Sequence, residues 1–439
     1  MKQSWEKRGQ IALTLPNPVE SSMHSFRTLL PLSLLTLGLL PTTAQAQAQT
    51  RPAAGATCQA NLTNRIDRIV NRIPGDWSIL VQNQAPPERR QNLYARNPSS
   101  LLIPASNNKV FTTAAALARL GPQYQIQTPV TANISGTEVE TLRVIGQGDP
   151  SFSTSQLRSL TRQLKDRGVR KVNLLIGDDT IFRGEPFNPY WSTRHKGEGY
   201  AAPVNSLLLN ENNIYDSSVP NPGNYFVGEF RKMLNTSGIQ VVNSTLVKRT
   251  PAPMGEVALA TVTSPPLSSL INETNQSSNN IYAEALLKTL GRLQDPGSLD
   301  TTTSGVNAVK SILTDLGVNP NRYTMYDGSG LADRDRASAE ALVQTLQAMA
   351  GRSDAAVFRR SLAVAGRSGT LSNRMVNTSA EGVVAAKTGT LQGAVSLSGY
   401  VNGSQPLVFS MIANSDRSPS TIRAALDEIA VLLTRSGGC

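Results

Sequence analysis

The end of the chain carries its most regular pattern, and this pattern constrains the fold more than any other feature. Three short apolar runs, GVVAAKTGT, AVSLSGYVN and PLVFSMIAN, follow one another with tight connections, and an amphipathic helix is predicted over residues 418–435. Strand-like runs joined by tight turns are typical of neighbouring antiparallel strands. The sequence therefore predicts an antiparallel sheet followed by a helix.

The first regular segments of the chain complement this pattern. Residues 60–73 place apolar side chains at helical spacing, and residues 76–84 and 90–97 are predicted strands around a proline-containing turn. If both ends of the chain build one antiparallel sheet, the two terminal helices share a face of it. Between residues 126 and 250, short β-branched segments alternate with Gly/Asp turns. We interpret this stretch as a separate β-rich module, although periodicity also allows an elaboration of the same domain.

An uncharged apolar run over residues 29–41 lies near the N-terminus, after Arg27 and before two overlapping A-x-A sites within residues 44–48. This order is typical of a secretory signal peptide, here 1–48. The run is shorter than the roughly 20 residues of a transmembrane helix, and an uncleaved anchor is the alternative. We expect an exported protein with no stable membrane anchor after cleavage.

Composition excludes several kinds of chemistry. The chain contains two histidines, His24 and His195, of which His24 falls in the predicted leader. A serine hydrolase with a histidine base, a His-rich zinc site and a haem protein are therefore poor fits, and we expect no metal or cofactor. The net charge is +11, but the basic residues are scattered without interleaved aromatics, so no nucleic-acid partner is expected. We interpret His195 as a surface residue.

The two cysteines, Cys58 and Cys439, lie at opposite ends of the region that follows the leader. Cysteines in an exported chain favour a disulfide. Cys58 and Cys439 can pair only if both termini belong to one domain and lie side by side, as the shared sheet would allow. Two free thiols are the alternative.

A serine and a lysine lie one helical turn apart at the start of the helix predicted over 104–121. On a helix, the Lys109 amine can reach the Ser106 hydroxyl. Burial and neighbouring positive charge lower the pKa of a lysine, which then acts as a base, so the pair offers a serine nucleophile without histidine. Alternatively, Ser106 is a helix N-cap, and the same S-x-x-K spacing also occurs by chance within the leader.

A second motif, Ser278-Asn279-Asn280, begins the helix predicted over 279–291. A hydroxyl and a carboxamide at a helix entry can relay a proton and hold a substrate amide. Capping is again the alternative, and the spacing fits Ser277 with Asn279 as well as Ser278 with Asn280.

A third motif, Lys387-Thr388-Gly389-Thr390, ends a strand-like run. A lysine on a strand, with a glycine that allows another chain to approach closely, suits a substrate that carries a carboxylate. The alternative is a set of polar residues in a hairpin.

The order S-x-x-K, S-x-N, K-T-G is the signature of penicillin-binding proteins and class A β-lactamases. Over essentially all of the region after the leader, the chain resembles the low-molecular-mass class C penicillin-binding proteins, a D-alanyl-D-alanine carboxypeptidase/endopeptidase family. Further family-like segments are GQGDPSF, IGDDTIF, YAAPVNSLLLNEN, YDGSGLADRDRAS and VAGRSGTLSNR.

The resemblance implies an α/β fold of the penicillin-binding-protein/β-lactamase-like transpeptidase type, with an antiparallel sheet flanked by helices and an inserted β-rich domain. We expect a split catalytic domain, 49–126 and 250–439, around an inserted domain, 127–249. The interval between the first two motifs is shorter than in family members with two nested insertions, so one insertion is expected.

The resemblance also implies roles for the motif residues. Ser106 would be the acylated nucleophile and Lys109 its base. The family pattern S-N-N-L-x-A-E places Ser278 as the proton shuttle and Asn280 as the group that holds the substrate amide, and Lys387 would shape the field around Ser278.

The remaining K-T-G residues would bind substrate. Thr388 and Thr390 would meet the terminal carboxylate beside Gly389, and the backbone N–H groups of Ser106 and Thr390 would form the oxyanion hole.

The function so implied is that of a serine-type D-Ala-D-Ala carboxypeptidase, with DD-endopeptidase activity left open. Its substrates would be peptidoglycan stem peptides, its covalent inhibitors β-lactam antibiotics, and its location the cell wall, periplasmic or extracellular. A β-lactamase or esterase on the same scaffold and a non-catalytic wall-binding protein are the alternatives.

Overall fold

The structure is a computed structural model that describes residues 54–247 and 256–435. The predicted signal peptide, 1–48, lies outside these residues. So does the predicted disulfide, because the described part of the chain includes neither the side chain of Cys58 nor Cys439.

The described residues form helices and strands in the following chain order. The helices are α1 (Ala54–Val70), α2 (Asn108–Leu120), α3 (Thr154–Asp166), α4 (Pro222–Thr236), α5 (Leu267–Gln276), α6 (Asn280–Gln294), α7 (Thr301–Asp315), α8 (Ala339–Ala350), α9 (Ala355–Ser361) and α10 (Pro419–Arg435). The strands are β1 (Asp76–Asn83), β2 (Asn92–Arg96), β3 (Gln127–Ser135), β4 (Glu138–Ile145), β5 (Lys171–Asp178), β6 (Asn213–Ile214), β7 (Ser217–Ser218), β8 (Gln240–Val247), β9 (Val257–Thr263), β10 (Tyr323–Thr324), β11 (Arg336–Ala337), β12 (Ala363–Val364), β13 (Val384–Leu391), β14 (Ala394–Val401) and β15 (Leu407–Asn414).

Both ends of the described chain build one antiparallel sheet, with strand order β12-β13-β14-β15-β1-β2. Strand β1 pairs along its whole length with β15, so the first strand completes the hairpins formed by the last three. The predicted antiparallel sheet, built from both ends of the chain, is confirmed.

Alternation along the strands gives this sheet two apolar faces. Ile79 and Phe409 lie in one core with α1 and α10, whereas Leu80 and Val408 lie in a second core with α2, α5, α6, α7 and α8. The two terminal helices therefore share one face, as the sequence predicts, and the other helices cover the opposite face.

Helix α2 lies at the centre of the second core. Its residues from Asn108 to Leu117 are all buried, which explains why an alanine- and leucine-rich sequence is needed: a helix surrounded by other helices has no face for solvent. The turn that precedes α2 thereby lies against β13 and β14 of the sheet.

The central part of the chain forms a second sheet, with strand order β8-β5-β4-β3-β9. The β4–β5 and β5–β8 pairs are parallel, and α3 and α4 provide the crossover connections and pack on the sheet. The predicted module, 127–249, covers four of these strands, and β9 joins them from beyond its predicted end. The domain limits stay a prediction.

No helix in residues 54–247 or 256–435 combines the length and apolarity needed to cross a membrane.

Candidate active site

Ser106 lies in a tight turn, Ala105–Asn107, immediately before α2. Ala105 has a φ of 50°, a left-handed conformation that is costly for a residue with a side chain. A Cβ atom at Gly330 would collide with the carbonyl oxygen of Ala105, so this glycine allows a neighbouring loop to brace the turn. The N-cap position of α2 belongs to Asn107, which leaves the Ser106 hydroxyl outside a capping role.

Lys109 is completely buried, and its Nζ atom donates to three oxygens that carry no formal charge. The acceptors are Ser106 Oγ at 3.0 Å, Asn280 Oδ1 at 2.6 Å and the carbonyl oxygen of Ser329 at 2.7 Å. The predicted pair, Ser106 and Lys109, is therefore in direct contact.

The start of α6 resolves the register of the second motif. Asn279 caps the helix, because its Oδ1 accepts from the N–H groups of Ile281 and Tyr282. Ser277 bonds back to Glu273. The side chains that face the two buried lysines are those of Ser278 and Asn280, which is the register given by the family pattern.

Lys387 lies on β13 and is also completely buried. Its Nζ donates to Ser278 Oγ at 2.8 Å and to the carbonyl of Thr388 at 2.9 Å. Asn107, next to Ser106, donates from Nδ2 to the carbonyl of Lys387 at 3.2 Å. Ser278 has a φ of 61°, so the backbone is again strained at a residue that reaches the cleft.

The rest of the K-T-G motif continues along β13. A Cβ atom at Gly389 would lie 2.6 Å from the carbonyl oxygen of Pro104, so the chain that approaches closely is the segment that leads into Ser106. Thr388 is mostly buried and donates to Thr370 Oγ1 at 2.7 Å, whereas Thr390 is exposed at the end of the strand. The motif therefore runs from the buried Lys387 to the solvent-exposed Thr390.

Burial lowers the pKa of both lysines. Burial lowers the pKa of Lys109 to about 8, and the carboxyl groups of Asp327 and Glu284 offset part of this effect. Burial, followed by the positive charge of Lys109, lowers the pKa of Lys387 well below its usual range. A lowered pKa makes a neutral amine available near physiological pH.

A loop that contains an aspartate and two glycines, 326–332, packs against the site, and the three sequence motifs do not include it. Asp327 is buried and accepts from the N–H groups of Gly330, Leu331 and Ala332, and Trp191 Nε1 donates to it at 2.8 Å. The signal was available in the YDGSGLADRDRAS segment, because an aspartate followed by glycine and serine commonly accepts from the backbone ahead of it.

Two more buried carboxyl groups, those of Asp335 and Glu284, lie next to Asp327. Burial and the neighbouring Asp327 raise the pKa of Asp335 well above its usual range, and Asp335 shares a hydrogen bond with Asp327. Burial, followed by the charge of Asp327, raises the pKa of Glu284 to about 8. Among the described residues, no group of His, Cys, Asp and Glu side chains is arranged to hold a metal ion.

The prediction for His195 is wrong. The residue is only 6% exposed, and its Nδ1 lies 2.9 Å from the hydroxyl of Tyr200. The loop that carries it packs on the 326–332 loop, where Trp191 and Leu331 share an apolar cluster. The carbonyl of Tyr200 accepts from Asn280 Nδ2 at 2.9 Å, so this loop also fixes the orientation of the Asn280 side chain.

An antiparallel sheet flanked by helices, with a hydroxyl and two buried lysines in one cleft, has the features of the penicillin-binding-protein/β-lactamase-like transpeptidase class. Penicillin binding protein 4 (dacB) from Haemophilus influenzae superposes with a TM-score of 0.77 at 21% identity, over 84% of this chain and 98% of that one.

Sequence comparison identifies the family within this class. A D-alanyl-D-alanine carboxypeptidase of Actinomadura sp. (strain R39) is 29% identical, over 92% of this chain and 90% of the relative. The carboxypeptidase DacB of Mycolicibacterium smegmatis is 27% identical, over 92% and 88% respectively. Residues 59–225 and 215–433 match the D-Ala-D-Ala carboxypeptidase 3 (S13) family, and the chain belongs to this family. Its membership confirms the predicted enzyme class, a serine-type D-Ala-D-Ala carboxypeptidase.

Proposed function

We propose that the protein cleaves the terminal D-alanine from peptidoglycan stem peptides through an acyl-enzyme on Ser106. The observation that carries this proposal is the contact of 3.0 Å between Ser106 Oγ and the buried Nζ of Lys109. A hydroxyl alone is a weak nucleophile at neutral pH, and a neutral amine within hydrogen-bond distance activates it.

In the first step, the neutral amine of Lys109 takes the proton from Ser106. The Oγ atom attacks the carbonyl carbon of the penultimate D-alanine, and the negative charge that develops on the carbonyl oxygen is stabilised by the N–H groups of Ser106 and Thr390. Each donor of this kind contributes about 3 to 4 kcal/mol to the transition state.

In the second step, the C–N bond of the terminal D-alanine breaks. Ser278 gives its hydroxyl proton to the departing amine nitrogen and receives in return the proton that Lys109 took from Ser106. The contact of 2.8 Å between Lys387 Nζ and Ser278 Oγ supports this role, because it fixes the hydroxyl oxygen and leaves its proton free to point into the cleft. Water then attacks the ester with Lys109 again as base.

The substrate contacts follow from the course of β13. We assign the terminal carboxylate to Thr388 and Thr390, beside Gly389, and the amide of the substrate to Asn280. The carboxamide of Asn280 already bonds Lys109 and Tyr200, but it retains one N–H and one lone pair for a ligand. The hydroxyl of Thr388 donates to Thr370, so its oxygen is available only as an acceptor until that bond is exchanged.

The location of the protein is part of the proposal. A signal peptide over 1–48 would export the chain to the cell wall, periplasmic or extracellular, where a basic protein meets an anionic polymer. The same cleft would bind β-lactam antibiotics covalently, and a structure of the Haemophilus influenzae relative is described as a complex with a novel β-lactam.

A labelled penicillin tests the proposal. The wild-type protein should become labelled, Ser106→Ala should not, and peptide mapping should find the label on Ser106. Labelling that persists in Ser106→Ala would move the nucleophile elsewhere. Thr421→Ala, which changes an exposed hydroxyl on α10, is the matched control and should label like the wild type.

Two further measurements on the wild-type protein distinguish the proposed function from the β-lactamase and the non-catalytic alternatives. A DD-peptidase should keep the penicilloyl group for many minutes, whereas rapid loss of the label would indicate a β-lactamase. Incubation with crosslinked muropeptides separates release of D-alanine from cleavage of the crosslink, and a folded protein that never acylates would support the non-catalytic alternative.

A further inference from the structure

The three acceptors around Lys109 determine where its lone pair points. A neutral amine has two N–H groups and one lone pair. The carbonyl oxygen of Ser329 and Oδ1 of Asn280 can only accept, at 2.7 Å and 2.6 Å, so both N–H groups are directed at them. The lone pair is then left facing Ser106, whose hydroxyl is the one neighbour of the three that can donate a proton.

Glu284 holds the backbone on the N-terminal side of Ser329, and the Ser329 carbonyl belongs to the following peptide, whose N–H group donates to Asp327. Oε1 of Glu284 accepts from the N–H groups of Gly328 and Ser329, each at 2.9 Å. Glu284 is 1% exposed and follows Asn280 by one turn on α6. One face of α6 therefore supplies one acceptor for the amine directly and holds the backbone N–H group of the residue that supplies the second.

We propose that Glu284 is a positioning residue for the reaction: it holds the N–H group of Ser329, which helps to place the carbonyl of the same residue so that the lone pair of Lys109 faces Ser106, and its charge influences the pH at which that lone pair becomes available. This inference rests on the proposed roles of Ser106 and Lys109. Glu284 is buried and bonded to backbone N–H groups, so it acts through Ser329 and Lys109 and not by contact with substrate.

The charges around Glu284 and Lys109 support the second part of the proposal, which is the effect of Glu284 on the pH dependence of acylation. Glu284 faces Lys288 on its own helix and Asp327 on the 326–332 loop. Lys109 faces Asp327, Glu284 and Asp335, and its charge in turn acts on Lys387. Of these groups, Glu284 is the carboxyl that titrates near the same pH as Lys109, since the pKa of each is shifted to about 8. An ionised Glu284 favours the ammonium form of Lys109, so loss of its charge favours the neutral amine at lower pH.

Two substitutions separate the two contributions. Glu284→Gln keeps an oxygen that accepts both backbone N–H groups but removes the charge. Glu284→Ala removes the acceptor as well, so the N–H groups of Gly328 and Ser329 lose their partner. If Glu284 only filled space, the two substitutions would have similar effects on the acylation rate. Neither substitution would then shift the pH dependence of that rate.

The experiment measures the acylation rate with a fluorescent penicillin from about pH 6 to about pH 10. This range extends about two units to either side of the pKa of about 8 of Lys109 and Glu284. Because Glu284 carries most of its charge only above its own pKa of about 8, we expect Glu284→Gln to move the midpoint of the profile downward by up to about one pH unit, with the largest rate difference near pH 8, while the plateau stays within a factor of about three. Glu284→Ala should lower the plateau by about tenfold or more. Glu428→Gln, an exposed carboxylate on α10, controls for net charge and should match the wild type.

The outcomes are distinguishable. A Glu284→Gln profile that overlays the wild type, with labelling still on Ser106, overturns this inference and leaves the proposed function intact. Labelling that persists in Ser106→Ala removes the proposed function and this inference with it. If Glu284→Ala does not fold, the profile of Glu284→Gln decides alone.

Discussion

Two regions of the molecule bury positive charge in opposite ways. In the second sheet, Arg143 on β4 is buried between Asp178, 3.7 Å away, and Glu256, 3.4 Å away. In the cleft, all the hydrogen-bond partners of Lys109 and Lys387 are uncharged oxygens, and neither lysine forms an ion pair within the described residues.

The difference separates a structural role from a chemical one. A buried cation that is paired with carboxylates keeps its charge, and removal of one partner leaves the others uncompensated. A buried lysine without a paired carboxylate is under pressure to lose its proton, which costs stability but yields a base. The comparison therefore predicts that substitutions in the cleft change rates, whereas substitutions in the second sheet change stability.

The largest effect should follow from Lys109→Met, which replaces the amine by an apolar chain of similar length. Without a base, the acylation rate by labelled penicillin should fall by about a thousandfold or more. The fold should be retained, because the neighbouring Asp327 and Glu284 are held by backbone N–H groups rather than by the lysine. Acylation at the wild-type rate would remove lysine as the base.

Arg143→Met is the counterpart in the second sheet. It leaves Asp178 and Glu256 buried without their cation, so the free energy of unfolding should fall by about 3 to 5 kcal/mol. Below the lowered melting temperature, acylation of Ser106 should stay within about twofold of the wild type. An unchanged melting curve would show that the paired cluster does not stabilise the fold, and the comparison would fail.

The fold was predictable where the pattern is local. The hairpins of β13, β14 and β15 alternate and turn within a few residues, and α10 follows at once, so periodicity alone is sufficient. Helices α3 and α4 were not predicted, although Ser153 and Gln156 form a capping box and Pro222 occupies the first turn of α4. Where β-branched runs dominate the local pattern, the periodicity of the short helices between them is difficult to detect.

The candidate site was likewise predictable where its contacts are local in the sequence. The contact between Ser106 and Lys109 follows from helical spacing, but the contact between Ser278 and Lys387 spans the chain and was reached through motif order and resemblance. Glu284 is the last residue of the family pattern S-N-N-L-x-A-E, but no role was assigned to it from the sequence, because its partners are backbone N–H groups that carry no side-chain signature. His195 was misplaced because a polar loop sequence does not show which other loop will cover it.

The pH dependence of acylation sharpens the comparison further. Because the pKa of Lys109 is lowered to about 8, the neutral amine is the major form above that pH and falls about tenfold per unit below it. The acylation rate should therefore rise through about pH 8 and then level off. Stopped-flow labelling of the wild type measures this limb, and a rate independent of pH between about 6 and 9 would contradict a titrating lysine.

The smallest effect should follow from Lys171→Met on β5, in the same sheet as Arg143. Nζ of Lys171 lies 2.7 Å from Oε1 of Glu138, closer than either ion pair of Arg143, but the two side chains are 40% and 50% exposed. Water solvates both charges before and after the substitution, so the melting temperature should change by less than about 2 °C. If Lys171→Met destabilised the protein as much as Arg143→Met, distance rather than burial would govern these pairs. Burial would then no longer explain why the cations of the cleft and of the second sheet behave differently.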